Sequence, residues 1–142
     1  MRRIKTAEEV RIFADGGARG NPGPAGIGAV LLDEKGDVIG EVSRYIGVST
    51  NNVAEYLAVI YGLQEAAYLK AKRVVIHVDS QLIARQLRGE YKVKDQNLRR
   101  FFDLALNLFR LFDKVEITEI PREENGQADA LVNKAINHKA LI

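Results

Sequence analysis

The apolar residues of this 142-residue chain change their spacing near residue 53, and that change constrains the fold most strongly. Before it, apolar and β-prone runs at 10–14, 27–32 and 38–48 are separated by a glycine-rich stretch and by the turn sequence DEKGD. After it, apolar residues recur at helical spacing as far as about Lys70. The pattern predicts an antiparallel meander of three strands followed by a first helix.

The second half of the chain alternates between strand and helix patterns. RVVIHVD is nearly all apolar, as expected for a central strand covered on both faces, and KVEITEI predicts a fifth strand. Helices are predicted from Ser80 to about Leu87, from about Asn97 to Phe112 and from Gly126 to about Asn137. Because strands separated by helices run parallel, the order βββαβααβα predicts an α/β fold. Its mixed five-stranded sheet has three antiparallel strands, then parallel strands, and is flanked by helices.

Composition narrows the classes of function. The length, with 46% apolar and 28% charged residues, suits one hydrophobic core, so we expect residues 1–142 to form a single domain. The absence of cysteine excludes disulfides and thiolate metal sites. A net charge of only +2 means that a basic surface for a polyanion must be local. Without a long apolar run or a signal-peptide pattern, we expect a cytoplasmic monomer with no membrane partner.

Residues 13–28 read FADGGARGNPGPAGIG and contain six of the twelve glycines. A tight hairpin, a phosphate-cradling loop and the floor of a metal site are three interpretations of this stretch. The phosphate loop is disfavoured, because it requires a Gly-Lys-Ser/Thr or GxGxxG sequence that opens a helix, whereas this stretch leads into another strand. The hairpin and the metal site remain open and are mutually compatible.

Four acidic residues stand near the ends of predicted elements: Asp15, Glu55, Asp79 and Asp129. Each has an ordinary local role available. Asn52 and Glu55 match an N-cap and its capping-box partner, and Asp79 and Asp129 suit helix starts. Taken together, Asp15 and Asp79 would meet beyond the ends of parallel strands, where ligands bind in open sheets. Carboxylates without Cys or His favour Mg²⁺, with Mn²⁺ as a substitute, and a pair of such ions about 4 Å apart suits phosphodiester hydrolysis.

The segments DGGARGNPGPAGIG, TNNVAEYLA, VDSQL and PREENGQADALVNKA resemble, in order and spacing, the four signature segments of type 1 ribonuclease H. The resemblance implies a ribonuclease H-like fold and endonucleolytic cleavage of the RNA strand of RNA/DNA hybrids, leaving 5′-phosphate and 3′-hydroxyl ends. It also implies that Asp15 bridges two Mg²⁺ ions, that Glu55 and Asp79 complete the leaving-group ion, and that Asp129 helps the ion that activates water.

Short amides near these acids suit an enzyme that must recognise a 2′-hydroxyl group. The resemblance places Asn51, Asn52 and Gln81 at the minor groove of the hybrid. It places Thr50 at a phosphate of the DNA strand and Asn21 where the DNA backbone approaches closely. The amides also have helix capping available as a local role.

The chain departs from many members of that family in two places. A short basic link replaces a longer basic handle helix, so the chain resembles the archaeal-like, handle-less subset. We expect Lys92 and Lys94 in this link to contact the hybrid. Without the handle helix, we expect the hybrid to bind more weakly and with a stronger dependence on salt than in family members that have the handle. Many family members have a histidine in the loop before Asp129, whereas this chain has none there. Arg122 in this loop matches the arginine of archaeal-like relatives, and the resemblance implies that it contacts the cleaved phosphate. His77 is predicted to be a packed strand residue.

Two other functions compete with a ribonuclease H. The first is a catalytically weak or inactive nucleic-acid-binding domain of the same fold, which the presence of all four acids disfavours. The second is a related enzyme that acts on DNA junctions or as an integrase, which the amides at 51, 52 and 81 disfavour. We therefore predict a metal-dependent ribonuclease H.

Overall fold

The structure is a computed structural model that describes residues 6–141, with side chains as far as residue 139. Three strands come first, β1 (Glu9–Ala18), β2 (Gly23–Leu32) and β3 (Val38–Ser49), followed by helix α1 (Asn51–Tyr68). The remaining elements, apart from a short 3₁₀ turn at Arg122–Asn125, are β4 (Arg73–Val78), α2 (Gln81–Leu87), α3 (Gln96–Phe109), β5 (Lys114–Glu119) and α4 (Gly126–Leu141).

The five strands form one sheet in the order β3-β2-β1-β4-β5. The pairs β1–β2 and β2–β3 are antiparallel, whereas β1–β4 and β4–β5 are parallel. The predicted α/β fold, with three antiparallel strands followed by parallel strands, is therefore confirmed. Within the described residues, no helix is both long enough and apolar enough to cross a membrane.

Helices cover the two faces of the sheet. The β1 residues Val10, Ile12 and Ala14 are buried and point to the α1 side, where a Cβ on Gly62 of α1 would come 2.8 Å from Ile12. The buried residues of β4, Val74 and Ile76, lie in register with Val10 and Ile12 and so extend the same core. Helix α4 packs on the opposite face against β2 and β3. The residues between those of the core, including Asp15, therefore face the α4 side.

The glycine-rich stretch is mostly strand, which corrects the prediction that β1 ends at Ala14 and β2 begins at Ile27. Two of its glycines permit close approach of a helix on each face. A Cβ on Gly16 would lie 2.3 Å from the backbone of Ala54 in α1, and one on Gly28 would lie 2.3 Å from the carbonyl oxygen of Ala128 in α4. Strand propensity disfavours glycine, but here the packing of helices on the sheet decides the conformation.

Helix ends also differ from the prediction. Thr50 caps α1, because its Oγ1 accepts a hydrogen bond from the Val53 amide at 3.3 Å, so the prediction that Asn52 is the N-cap was wrong. Ser80 caps α2 in the same way, rather than Asp79. Helix α4 continues beyond the predicted end at Asn137, and the turn at Arg122–Asn125 had not been predicted.

Candidate active site

A cavity of about 410 Å³ lies where β4 ends and α1 and α4 begin, and all four predicted acids line it. Asp15 projects from β1, Asp79 follows β4 directly, Glu55 is in the second turn of α1 and Asp129 is in the first turn of α4. The parallel pairing of β1 with β4 brings the first two to one edge. The structure therefore brings together residues that are up to 114 positions apart in the sequence.

Two close packing contacts bring the helix-borne acids to Asp15. Gly16, next to Asp15, allows α1 to approach so closely that a Cβ there would lie 2.6 Å from the Glu55 amide nitrogen. Gly28, which pairs with Asp15 across β1 and β2, allows the same approach of α4 beside Asp129. The absence of side chains on both glycines is thus a geometric requirement of the acidic cluster.

Burial, and to a lesser extent the neighbouring acids, raises the pKa values of Asp15 and Glu55. The pKa of Asp15 rises to about 8, chiefly through burial, then through the charge of Asp79, a hydrogen bond with Asp129 and the charges of Asp129 and Glu55. The pKa of Glu55 rises to about 7, chiefly through burial and further through the charge of Asp79, while a hydrogen bond with Ser80 opposes the rise. Full ionisation of this cluster is therefore unfavourable unless a cation compensates it.

The donors in this cavity fit a hard divalent cation. All four acids offer carboxylate oxygens, and neither histidine lines the cavity. His77 instead stacks on Phe13 with ring centroids 4.3 Å apart, which confirms the prediction that it is a packed strand residue. Over residues 6–139, no three or more acidic or histidine side chains are already arranged to hold a metal ion. The carboxylates would thus have to reorient to hold a cation.

Asn125 is a residue of this site that the sequence analysis missed. It is only 1% exposed, and its Nδ2 donates hydrogen bonds to the carbonyl oxygen of Ala14 at 2.9 Å and to Oδ2 of Asp79 at 2.8 Å. Its position in PREENGQAD, four residues before Asp129, is the one signal that could have found it.

Two cationic side chains stand at the rim of the acidic cavity. Arg122, predicted from the sequence, lines the cavity and is exposed. Arg19, which had not been predicted, also lines it, and its guanidinium lies 3.5 Å from Oδ1 of Asn133. Asn133 in turn donates to Oδ2 of Asp129 at 3.4 Å. The rim thus carries donors suited to an anionic ligand beside acids suited to a cation.

The predicted amides form a connected group next to the acids. Oδ1 of Asn51 accepts a hydrogen bond from the Ala18 amide at 2.8 Å, and Oδ1 of Asn21 accepts one from the Asn51 amide at 3.0 Å. Asn51 lines the acidic cavity, whereas Asn21, Thr50 and Asn52 line a neighbouring cavity of about 230 Å³. Both Asn21 and Asn51 accept a backbone hydrogen bond through Oδ1, and their NH₂ groups can serve as donors to a ligand.

Three predicted contacts lie outside these two cavities. Gln81 is the exposed first residue of α2, and Lys92 and Lys94 are exposed in the link between α2 and α3. The structure therefore brings the acids, Arg122, Thr50 and the amides at 21, 51 and 52 into adjacent cavities, but it leaves these three side chains at the surface around them.

Known proteins share this architecture and sequence. The sequence family described as reverse transcriptase-like matches residues 13–135. The chain is 42% identical over 128 residues to ribonuclease HI of Halobacterium salinarum, covering 90% of this chain and 64% of that protein. The crystal structure of the H. salinarum ribonuclease H1 superimposes on this chain with a TM-score of 0.89. The superposition covers 92% of this chain and 98% of the H. salinarum chain. The chain belongs to the ribonuclease H family.

Two further ribonuclease H structures are similar. The N-terminal ribonuclease H domain of the bifunctional protein Rv2228c from Mycobacterium tuberculosis has 42% identity and a TM-score of 0.88, covering 90% of this chain and 98% of that one. A ribonuclease H1 isolated from compost, solved in complex with an RNA/DNA hybrid, has 46% identity and a TM-score of 0.88, covering 94% and 99%. Against the full-length proteins, this chain spans 64% of the Halobacterium protein and 36% of the mycobacterial one.

Proposed function

We propose that the chain is an endonuclease that hydrolyses the RNA strand of RNA/DNA hybrids with the help of divalent cations, leaving 5′-phosphate and 3′-hydroxyl ends. The observation that carries the proposal is the convergence of Asp15, Glu55, Asp79 and Asp129 on one cavity. The raised pKa values of Asp15 and Glu55 support a cation as the natural partner of this cluster. The complex of the compost ribonuclease H1 with an RNA/DNA hybrid supports the choice of substrate.

The four carboxylates would hold two Mg²⁺ ions, or Mn²⁺ as a substitute. Bound there, the ions would supply an activated water and neutralise the charge that develops on the phosphate. Asp15 is suited to a shared position, since Asp79, Asp129 and Glu55 all act on its carboxyl group. We assign Glu55 and Asp79 to the leaving-group side and Asp129 to the water side.

Arg122 would bind the cleaved phosphate. Its exposed guanidinium lines the same cavity as the acids, and a planar guanidinium can bind two phosphate oxygens at once. Arg19 lines the cavity as well and offers the same chemistry. The positive charges of the protein that neutralise the phosphate would thus be those of Arg19 and Arg122 at the rim of the acidic cavity.

The amides would recognise the hybrid as hydrogen-bond donors. Oδ1 of Asn51 and Oδ1 of Asn21 each accept a backbone hydrogen bond, which orients the two side chains and leaves their NH₂ groups as donors for the hybrid. Donors suit the 2′-hydroxyl oxygen, the minor-groove acceptors of bases and phosphate oxygens. We assign Asn51, Asn52 and Gln81 to the minor groove. Thr50, whose Oγ1 already accepts from Val53, keeps its hydroxyl proton for a DNA-strand phosphate.

The link between α2 and α3 would attract the hybrid without fixing it. Lys92 and Lys94 are exposed there and, on this proposal, contact phosphates along the duplex. Phosphate contacts of this kind supply affinity that depends on salt but carries no sequence information.

A panel of substrates tests the proposal. We expect the protein with Mg²⁺ to cut the RNA strand of an RNA/DNA hybrid at internal positions and to leave duplex DNA and single-stranded RNA of the same sequence intact. Chelation with EDTA should abolish cleavage. Binding of the hybrid without cleavage in Mg²⁺ or Mn²⁺ would contradict the proposal and indicate an inactive binding domain, which no present observation favours.

We also propose that residues 1–142 act as a single domain, as a monomer and in the cytoplasm. The single continuous sheet and its shared core support the first part. Light scattering of the purified chain tests the second part, and a mass of two chains would contradict it.

A further inference from the structure

We propose that Asn125 is a positioning residue that holds the Asp79 carboxylate and connects three of the segments that carry the acidic cluster. The inference rests on the proposed function, because the positioning serves the cations that the carboxylates would bind. Asn125 does not line the acidic cavity, so it acts through Asp79 rather than on the substrate.

The hydrogen bonds of Asn125 fix the orientation of its amide. The Ala14 carbonyl oxygen, at 2.9 Å, can only accept a hydrogen bond. Oδ2 of Asp79, at 2.8 Å, can likewise only accept one when Asp79 is ionised. The NH₂ group must therefore face them, and Oδ1 must point away. The side chain is 1% exposed, so water does not compete for these two bonds.

The position of Asn125 in the chain makes this contact long-range. Ala14 precedes Asp15 in β1, Asp79 follows β4, and Asn125 ends the short turn that leads into α4 and Asp129. Asn125 is 111 residues from Ala14 and 46 residues from Asp79. One buried amide thus joins the two strand segments to the start of the helix that supplies the fourth acid.

The two hydrogen bonds that Asn125 makes through its side chain within the described residues both come from its NH₂ group. Oδ1 of Asn125 is buried and accepts no hydrogen bond from any residue in the described range 6–139. A buried acceptor without a partner costs free energy, and such exceptions are uncommon in native proteins. An apolar side chain of similar size would avoid that cost but would leave Asp79 without its donor.

A neutral donor suits the neighbour of a metal-binding carboxylate. The amide orients Oδ2 of Asp79 without neutralising its negative charge, so the carboxylate remains available to a cation. An arginine or lysine in the same place would also orient Asp79 but would compete with the cation. The oxygen Oδ1 of Asp79 and the remaining lone pair of Oδ2 stay free of Asn125.

The test compares Asn125→Ala and Asn125→Leu with the wild type and with Asn107→Ala, an exposed amide on α3 that serves as the matched control. Leucine fills the space of asparagine without a donor, which separates the loss of hydrogen bonds from the loss of packing. Because outer contacts of metal ligands typically contribute 10- to 100-fold, we expect calorimetric affinity for Mn²⁺ to fall about 10-fold in both variants. We expect kcat to fall by about 10- to 100-fold at fixed Mg²⁺, with the KM for hybrid within about twofold.

Asn125→Ser is a third variant at this position, because it keeps one donor and leaves room for a water. Partial recovery of Mn²⁺ affinity in Asn125→Ser, relative to Asn125→Ala, supports the positioning role even where the other two variants fold poorly. Unchanged Mn²⁺ affinity and unchanged kcat in folded Asn125→Ala or Asn125→Leu would overturn it, as would a lower melting temperature with metal affinity intact.

Asp79→Asn, measured in parallel, separates the inference from the function on which it rests. If Asp79→Asn cleaves hybrid and binds Mn²⁺ like the wild type, the proposed function itself fails. If Asp79→Asn is inactive while the Asn125 variants match the wild type in Mn²⁺ affinity, only the role of Asn125 fails.

Discussion

The acidic cavity and the basic link at residues 88–95 are the two charged regions assigned to the same proposed substrate, and they are built in opposite ways. Each acid of the cavity lies in, or directly after, an element that packs on the core. Close contacts at glycines bring α1 and α4 to the cavity, and the buried amide of Asn125 contacts Asp79. The link has no regular structure, and Val93, which is 6% exposed, anchors it, while Lys92 and Lys94 extend into solvent.

The difference follows from what each charge has to do. Groups that stabilise charge during a reaction act through fixed positions, even though holding acids together raises their pKa values and opposes folding. Groups that attract a polyanion act through counterion release, which requires proximity but no particular geometry. Substitutions in the cavity should therefore change turnover, and substitutions in the link should change binding.

Removing an acid from the cavity should have the largest effect. We expect Glu55→Gln and Asp79→Asn each to lower kcat on the order of 1,000-fold, because cation-based stabilisation contributes several kcal/mol and each 1.36 kcal/mol is tenfold in rate. Fluorescence anisotropy should show hybrid affinity within about threefold of the wild type, since binding relies mainly on phosphate contacts. A loss of kcat smaller than tenfold in both variants would remove the contrast between the two regions.

Disturbing the position of an acid without removing it should have a smaller effect. A Cβ at Gly16 would lie 2.3 Å from the Ala54 backbone, so Gly16→Ala must displace α1 and with it Glu55. We expect a loss of about 1–3 kcal/mol in the free energy of unfolding, measured with urea, and a kcat lower by roughly 10- to 100-fold.

Gly126→Ala is the matched control for Gly16→Ala, because nothing lies within 4 Å of a Cβ at Gly126 and its φ is −62°. Its stability should stay within about 0.5 kcal/mol of the wild type. Equal behaviour of the two variants would show that close packing at Gly16 does not position Glu55.

Neutralising the link should weaken binding and leave chemistry intact. For Lys92→Ala combined with Lys94→Ala, we expect a higher KM for hybrid and a kcat within about twofold of the wild type. The slope of log affinity against log salt concentration should decrease in magnitude by up to about 2, which is about 1 for each lost phosphate contact. Lys35→Ala, in the exposed turn between β2 and β3, is the control with an unchanged slope. An unchanged slope in the double variant would exclude the link from the hybrid interface.

The stability of the metal-free protein should depend on pH through the cavity, and this is the smallest effect. The pKa values of Asp15 and Glu55 rise on folding from ordinary values of 3.8 and 4.5 to about 8 and about 7. A raised pKa gives stability that is present at low pH and lost as pH increases through the folded-state value. We therefore expect the melting temperature in EDTA to fall by several degrees between pH 4 and pH 8.

Asp15→Asn should flatten that pH profile, and Mg²⁺ should restore the melting temperature of the wild type at pH 8. A wild-type melting temperature that rises steadily over the same range in EDTA would contradict the raised pKa values.

The sequence predicted the order of the elements along the chain and the relative directions of the strands, because hydrophobic periodicity reports directly on secondary structure and on which connections are short. It placed the ends of β1 and β2 wrongly, since low strand propensity of glycine is a local signal, whereas the approach of α1 and α4 is a tertiary one. The predicted N-cap of α1, Asn52, lies two residues after the observed N-cap, Thr50, because both residue types are good N-caps.

The acids were predictable as a set because each falls in one of the four segments that resemble the ribonuclease H signature, although Asp15 lies within β1 and not at its end. Asn125 was not, because its partners are 111 and 46 residues away and nothing in its neighbours indicates burial. Arg19 and Asn133 were missed for the same reason: their places at the cavity depend on how β1 and α4 pack.

Single-turnover cleavage by the wild type and by Asp15→Asn, with enzyme in excess over a hybrid labelled on its RNA strand, shows whether the acidic cavity cuts RNA through a bound cation. We expect the wild type to cut the RNA strand in Mg²⁺ and not in EDTA, and we expect Asp15→Asn to remain folded and bind the hybrid without cutting it. Cleavage by the wild type in EDTA, or cleavage by Asp15→Asn at a rate within about tenfold of the wild type, would contradict a cation-dependent site centred on Asp15.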